Sequence, residues 1–584
     1  MRLQLGSRRR RLSPHRALIA TAAFTVVGLL ILTLRSVDPS TPLPITTSED
    51  VNAKPADTNF HSNHSDAQPL KTCATVEEMG EMFSRGFSEE SYRVRKIIES
   101  HFAINGASRV RALSPEEFCR HGFVLGKASE AGFGNEMYKI LTAGALSVML
   151  NRSLIIGQSR HIGSLSSLSI CTVCCTCLVS DSIFVVSFPC SFDIELFQGR
   201  FPFEDFISYS NITFTLKEIK HLWRQNGCLT KYGRHLVIRI DDFQKPARTN
   251  VLCSNWRVWE QPIIWFQNTT DAVAAQFFLK NVHDEMRIAA SNLFGKPDDL
   301  HHRPNVFGEL MRLLIFPSEN IQHAVNWALK GGADPDIALH MRMLMNRSIR
   351  AVQAAFSCIR KSVENLKLMS KPRIILVSDN PSLVKDITPD LNQFAEVLHF
   401  DFKHFKGNIS GNSNFHTLDF RTKDWGTAPR WVAFVDFFLA SRAKHAAISG
   451  AHRRVGTTFA QLVAALAAAN SLEDGSSAGS NFTFLSSFQS NLLREGLKNQ
   501  IGWGHVWNRF AGTLSCHSQS KQCARTPILP PAWWDGLWQS PIPRDVNRME
   551  AYGIRLSGFG TFDDNQLHSF CSSRKKPVLT IPLI

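Results

Sequence analysis

Three short segments of this chain combine residue types able to hold an anionic ligand and act on it. The first is Gly132-Phe133-Gly134-Asn135-Glu136: two glycines permit close backbone approach, Asn135 offers an amide and Glu136 a carboxylate. Gly-x-Gly-Asn is also a common way to turn from a strand into a capped helix, so this segment alone does not decide. The second is His340-Met341-Arg342, closing the apolar run 337–341. An Arg at a strand end is placed to grip a diphosphate bidentately and to neutralise it as it departs; a surface ion pair is the plainer use. Asp379 closes the next apolar run and is either a ligand contact or a helix cap. The third is SGAHRRVGTTFAQ, residues 449–461, in which Gly456-Thr457-Thr458 open a helix. Backbone N–H groups, two hydroxyls and the helix dipole then converge on one point, which makes an anion site. The alternative there is a capped turn with solvated Arg453 and Arg454.

The elements that must position these residues follow from periodicity. Gly122 to Leu125 is a short apolar strand, Ala131 to Asn135 a glycine-punctuated turn, and Met137, Ile140, Leu141, Gly144, Ala145 and Val148 mark one face of a helix. Ser153 to Ile156 resumes as a strand, completing a βαβ unit. Farther on, strands at 337–341, 373–377, 396–400 and 445–449 alternate with helices beginning near Ile349, Pro381, Trp431 and Thr457. Strands separated by helices predict a parallel, doubly wound sheet, and such sheets bind ligands beyond the carboxyl ends of their strands. All three segments stand at such ends.

Taken together, and in this order, the three segments resemble the GT-B fucosyltransferase superfamily: protein O-fucosyltransferases, α1,6-fucosyltransferases and plant cell-wall fucosyltransferases. The resemblance covers 122–158 and 337–469. It implies an α/β, GT-B-like fold of two doubly wound Rossmann-like domains facing a cleft. It implies GDP-fucose as donor substrate, bound through Gly132, Gly134, Asn135, His340, Arg342, Asp379, Thr457 and Thr458. Arg342 would carry the charge of the leaving diphosphate, and Glu136 is the candidate base for the acceptor hydroxyl. Val-Gly-Thr-Thr-Phe replaces the Ser-rich helix start usual in that superfamily, and the preceding basic loop is longer, which leaves another sugar diphosphate open as donor. No cofactor and no metal are implied. Asp334-Pro335-Asp336 has the D-x-D form of a metal motif but precedes a strand, where it reads as a strand-entry turn.

The whole chain resembles a family of plant type II membrane proteins, and the bulk composition agrees. The net charge is +15, yet seven Arg and no acid fall within residues 1–35, leaving +8 for the rest. That balance argues against nucleic acid and suits a phosphate-bearing donor or an anionic glycan. Ala17 to Leu34 is an uncharged run of 18 residues, about 27 Å as a helix. Six Arg precede it and one follows, so the N-terminus is expected in the cytosol and the remainder in the lumen. The expected organisation is a tail at 1–16, a signal anchor at 17–34, a Pro/Ser/Thr-rich stem at 35–72, an acceptor-side domain at 73–330, a nucleotide-sugar domain at 331–470, and a Trp- and Cys-rich extension at 471–584.

Seven sequons (at Asn63, Asn151, Asn211, Asn268, Asn346, Asn408 and Asn481) fit a secretory chain. So do the cysteines. Of 13, five crowd into 171–190, and the other eight form an even set that can pair in an oxidising lumen. The stretch 161–198, almost uncharged and without a helical face, reads as translated intron; a metal cluster on its C-x-x-C-C-x-C is the alternative. Trp503, Trp507, Trp533, Trp534 and Trp538 are expected to pack the tail onto the core, with sugar stacking as the other use. The function these features point to is a single-pass Golgi glycosyltransferase acting on a glycan or glycoprotein acceptor. The alternative is a Golgi protein that keeps the fold as a glycan-binding or scaffolding module.

Overall fold

The computed structural model describes residues 87–128, 133–158, 203–229, 236–242, 253–267, 281–295, 304–343, 349–366, 371–407, 409, 428–429, 431–451, 458–472, 482–487, 523–526, 528, 556–557, 561–562, 568–569, 571–572 and 579–582. The expected membrane anchor at 17–34, the stem, the stretch 161–198 with the flanking Arg160 and Gly199, and the five tail Trp lie outside the described residues. Among the described residues no helix is long and apolar enough to cross a membrane. Residues 71–584 form one compact unit.

Two largely parallel sheets organise that unit, giving a mixed α/β fold. The strands are β1 (Phe123–Ala128), β2 (Ser153–Gln158), β3 (Ile207–Tyr209), β4 (Val237–Asp242), β5 (Ile263–Gln267), β6 (Ile315–Pro317), β7 (Ile337–Arg342), β8 (Arg373–Ser378), β9 (Glu396–Leu398), β10 (Ala446–Ala451), β11 (Thr483–Ser487), β12 (Cys523–Arg525), β13 (Leu556–Ser557), β14 (Thr561–Phe562) and β15 (Leu579–Pro582). The first sheet has the order β15-β4-β5-β1-β2 and the second β12-β11-β10-β7-β8-β9; β3–β6 and β13–β14 are small ribbons. Only β15 and β12, each at a sheet edge, run antiparallel to their neighbours in the two large sheets. The chain beyond 470 therefore supplies strands to both sheets.

The helices used below are α1 (Phe87–Asn105), α2 (Phe133–Leu150), α3 (Leu216–Gln225), α4 (Asp284–Phe294), α5 (Val306–Leu314), α6 (Glu319–Leu329), α7 (Ile349–Leu366), α8 (Pro381–Asn392), α9 (Val432–Ala440) and α10 (Thr458–Asn470). One core joins the facing sides of both sheets. It contains Val124 and Ile264 from the first, Ala338, Ile375 and Ala447 from the second, and the buried faces of α2, α5, α9 and α10 between them. Separate cores close the outer faces, around Trp223 and Phe214 on one side and Ile359 and Leu391 on the other.

Local sequence explains the helices nearest the site. In α2, apolar residues recur so densely that the helix is buried on most sides, and Gly126 lets it ride low over β1: a Cβ there would come 2.9 Å from Ala143 Cβ. Helix α10 (TFAQLVAALAAAN) is small and apolar all round, and every residue from Ala460 to Ala469 is buried. A helix without a polar face belongs inside a protein. Strand β7 is also buried nearly end to end and opens only at Arg342, as a central parallel strand should.

Among the described residues three disulfides tie the unit together: Cys119–Cys228, Cys253–Cys571 and Cys358–Cys523. They use six of the eight cysteines outside 171–190; Cys73 and Cys516 lie outside the described residues.

Candidate functional site

Strand β7 ends at Arg342, with β8 and β10 on either side: Met341 pairs with Ser378 and Arg342 with Ala451. The guanidinium Nη1 lies 2.7 Å from Asp379 Oδ2, and the Arg342 side chain is still 30% exposed. Asp379 Oδ1 accepts the Met343 N–H at 2.7 Å. The carboxylate thus clamps the backbone just past the strand end and aims the guanidinium. The helix cap expected as an alternative for Asp379 falls one residue later: Asn380 Oδ1 accepts the Ser382 N–H and starts α8.

His340 precedes Arg342 by two residues, so both side chains leave the same face of β7. Its ring is buried and stacks on Phe459 in the first turn of α10, with centroids 4.9 Å apart and planes at 28°. Burial, helped by the Arg342 charge, pushes the imidazole down to about 3. His340 is therefore neutral at physiological pH, and the positive charge at this strand end belongs to Arg342.

The starts of α2 and α10 meet beside His340. A Cβ placed on Gly134 would lie 3.3 Å from Thr458 Cβ and 3.6 Å from the Phe459 N atom. Phe133 packs edge-on against Phe459 and Phe434 and at a tilt against Phe437, the last two on α9, with centroids 4.8–6.1 Å apart. Two segments 324 positions apart in sequence, Gly134 and Thr458, are thus in contact. Asn135 is exposed and Thr458 half-buried, so each keeps surface open for a ligand. Gly132 and Thr457 lie outside the described residues.

Glu136 has a different setting. Its side chain is 0% exposed and its Oε1 accepts from Lys139 Nζ at 3.2 Å. The Glu136 carboxylate therefore has no surface open to solvent.

Asp334 and Asp336 stand at the amino end of β7, away from Arg342. Asp334 pairs with Arg442 at 2.6 Å, and Asp336 Oδ2 accepts the Arg373 N–H at 2.8 Å. The D-x-D form here serves strand entry: the Asp336 N–H also donates to Arg373 O, and Asp336 O accepts the His445 N–H.

Two ionisable groups emerge that the sequence reading did not single out. Asp436 on α9, two positions from Phe434 and adjacent to Phe437, keeps part of its surface exposed, yet desolvation pushes its carboxyl up to about 8. Lys127, near the carboxyl end of β1, sits with Nζ 4.8 Å above the Trp265 ring and is lowered to about 7 by burial. A lone Asp inside the apolar run VAFVDFFLA was the available signal for the first. Nothing in FVLGKA distinguishes Lys127 from a solvated strand-end lysine.

The described architecture is that of a two-sheet α/β protein with its charged strand end on the second sheet. The chain belongs to the family of unknown function DUF7810, whose profile matches residues 68–177 and 185–583, the break falling inside 161–198. No curated protein sequence matches. Among solved structures, the chain is similar to NodZ alpha-1,6-fucosyltransferase soaked with GDP-fucose, at 12% identity and TM-score 0.30, covering 59% of this chain and 92% of that one. It is similar also to a mutant of Arabidopsis thaliana FUT1 in complex with GDP, at 10% identity and TM-score 0.35, covering 73% of this chain and 86% of that one. A third is POFUT1 in complex with GDP-fucose, at 10% identity and TM-score 0.31, covering 63% and 98%.

Proposed function

We propose that this chain is a GT-B-type glycosyltransferase that binds a nucleoside diphosphate sugar, GDP-fucose first among them, at the carboxyl end of β7. The observation that carries the reading is Arg342, pinned by Asp379 at 2.7 Å and still 30% exposed, beside the paired starts of α2 and α10. A diphosphate placed there meets a planar cationic fork from one side and a helix start with the Thr458 hydroxyl from another. As the glycosyl–oxygen bond breaks, charge builds on the departing β-phosphate, and preorganised donors of this kind lower the barrier. Neutral His340 adds a hydrogen-bonding group without adding charge. The sequence resemblance to the fucosyltransferase superfamily supports inversion, independence of metal, and a glycan or glycoprotein acceptor. Three disulfides within the compact unit support an oxidising compartment, in line with a type II Golgi protein whose catalytic unit is lumenal.

A second reading has one observation in its favour. Glu136, the carboxylate nearest the helix start, is enclosed, and an enzyme of this kind needs an accessible base. Under that reading the same site binds a nucleotide sugar or glycan without turnover.

A panel of nucleotide sugars tested for thermal stabilisation of the purified protein, followed by a transfer assay, separates the two. A bound donor at 100 times its dissociation constant adds about 2.7 kcal/mol. Stabilisation by GDP-sugars with transfer supports the enzyme; stabilisation without transfer to any acceptor supports the binding module; no stabilisation by any nucleotide sinks both.

A further inference from the structure

Helix α10 begins at the candidate site and ends among the helices of the first sheet, where two of its carbonyls, and that of Leu472 just past its end, are taken by side chains. Asn305 Nδ2 donates to Ala465 O at 2.6 Å. Arg95 of α1 donates through Nη2 to Ala469 O at 2.7 Å and through Nη1 to Leu472 O at 2.8 Å. The same guanidinium meets Glu309 of α5, with Nε 2.7 Å from Oε2 and Nη2 3.2 Å from Oε1. Both side chains are enclosed, 3% and 1% exposed. The last carbonyls of a helix lack partners within it, and a cation at that end complements the dipole. Arg95 satisfies both needs while bonded to a carboxylate on a third helix. Gly308 brings α5 against α10 so closely that a Cβ there would come 2.1 Å from Ala465 O.

Helix α10 has 13 residues, so it is roughly 18 Å of rod, stiff along its axis. Where its last turn is anchored therefore sets where its first turn stands. Arg342 reaches the site from β7, whereas Thr458 reaches it from α10. Both must meet one diphosphate within hydrogen-bond distance, and a misplacement of about 1 Å is enough to lose such a contact.

We propose that Arg95 is a positioning residue for the anion-binding start of α10: by fixing the last turn of the helix, it sets the distance between Thr458 and Arg342. The proposal rests on the donor reading above. Lysine cannot replace the guanidinium, because one ammonium does not span a carboxylate and two carbonyls.

The test uses Arg95→Lys in the full-length chain, with Arg95→Met as the harsher variant. GDP and GMP affinities are measured by calorimetry, and amide hydrogen exchange is followed over residues 461–464 of α10. For Arg95→Lys the expected result is at least a tenfold loss of GDP affinity, a change within threefold for GMP, and at least tenfold faster exchange at 461–464. A lowered melting temperature with the GDP-to-GMP affinity ratio unchanged assigns Arg95 a purely structural role and overturns the proposal. If the wild-type protein takes up neither nucleotide, the donor reading falls and exchange judges Arg95. Faster exchange confined to α10 then keeps the anchoring role, and unchanged exchange removes it.

Discussion

The two sheets end differently at their carboxyl edges. On the second sheet, β7 and β8 finish in Arg342 and Asp379, a pair whose cation is still open to solvent. On the first, the described charges are buried. Lys127 lies over Trp265 near the end of β1, and farther back on β4 Arg239 stacks on Trp259 with its Cζ 3.3 Å from the ring centroid while its Nε reaches Asp241 at 2.8 Å. Among the described residues, charge is partly exposed at the end of the second sheet and buried on the first. A buried, paired charge mostly offsets its own desolvation; a charge pinned at the surface of a strand end is available to an arriving anion. Sequence shows the charges at both edges, and burial sorts them into structural and chemical.

That contrast is most sharply tested at Arg342. Arg342→Ala should cut transfer on the order of 10²–10³-fold or more, as loss of a preorganised donor at a developing anion does. Arg342→Lys should recover little of it, because a point charge does not reproduce the fork. Circular dichroism and melting should stay close to wild type, since Arg342 is partly exposed. Full turnover in Arg342→Ala would remove the leaving-group role and with it the distinction between the two edges.

Glu136→Gln probes the enclosed side. The expected outcome is a destabilisation of about 1–3 kcal/mol in denaturant titration, from a buried acceptor left poorly matched, with GDP affinity within a fewfold of wild type. Abolished transfer at unchanged stability would instead make Glu136 the base after all, reached through a rearrangement of the α2 start.

Much of this arrangement was legible in the sequence, because the second sheet is built from regular βα units. The run IALHMR became β7, RIILVS became β8, and the helices at 349, 381, 432 and 458 began within about one residue of where periodicity puts them. The first sheet was legible only at β1, α2 and β2. Strand β4 (VIRIDD) carries charges that hide its buried character, and β15 (LTIP) reads as a tail although it pairs with β4 from more than 330 positions away. Long-range pairing leaves no local periodic trace. The contact of Gly134 with Thr458 and the anchoring of α10 by Arg95 were illegible for the same reason. Glu136 shows the converse: its type and place suggest chemistry, and its burial leaves no mark in the local sequence.

A smaller effect is expected at Asp436. Burial raises its carboxyl to about 8 from an ordinary 3.8, so between those values the folded state holds a proton that the unfolded state has released. Stability from this group is therefore greatest at low pH and falls as pH rises through that window. Asp436→Asn removes the dependence. Its melting temperature should exceed wild type by on the order of a few °C near pH 8, and the difference should shrink toward zero near pH 4. A difference that does not change with pH would show that Asp436 is ionised throughout, with its charge met by a group near α9. That would make α9, on the core side of the second sheet, a second place where charge is offered for binding.

The smallest expected effect is none at all. Binding and transfer should survive EDTA, because Arg342 and the α10 start supply the positive field that a divalent ion gives in metal-dependent transferases. Among the described residues the D-x-D form at 334–336 argues otherwise, and its placement answers it. Strand β7 runs six residues from Ile337 to Arg342, so at about 3.3 Å per residue even Asp336 lies roughly 20 Å of strand before Arg342. There Asp334 is committed to Arg442 and Asp336 to the Arg373 backbone. An ion held at that edge would not touch a diphosphate at the other. Loss of GDP affinity or transfer on chelation, restored by manganese and abolished in Asp336→Asn, would move the donor to the amino edge of the sheet and reverse the comparison on which Arg342 rests.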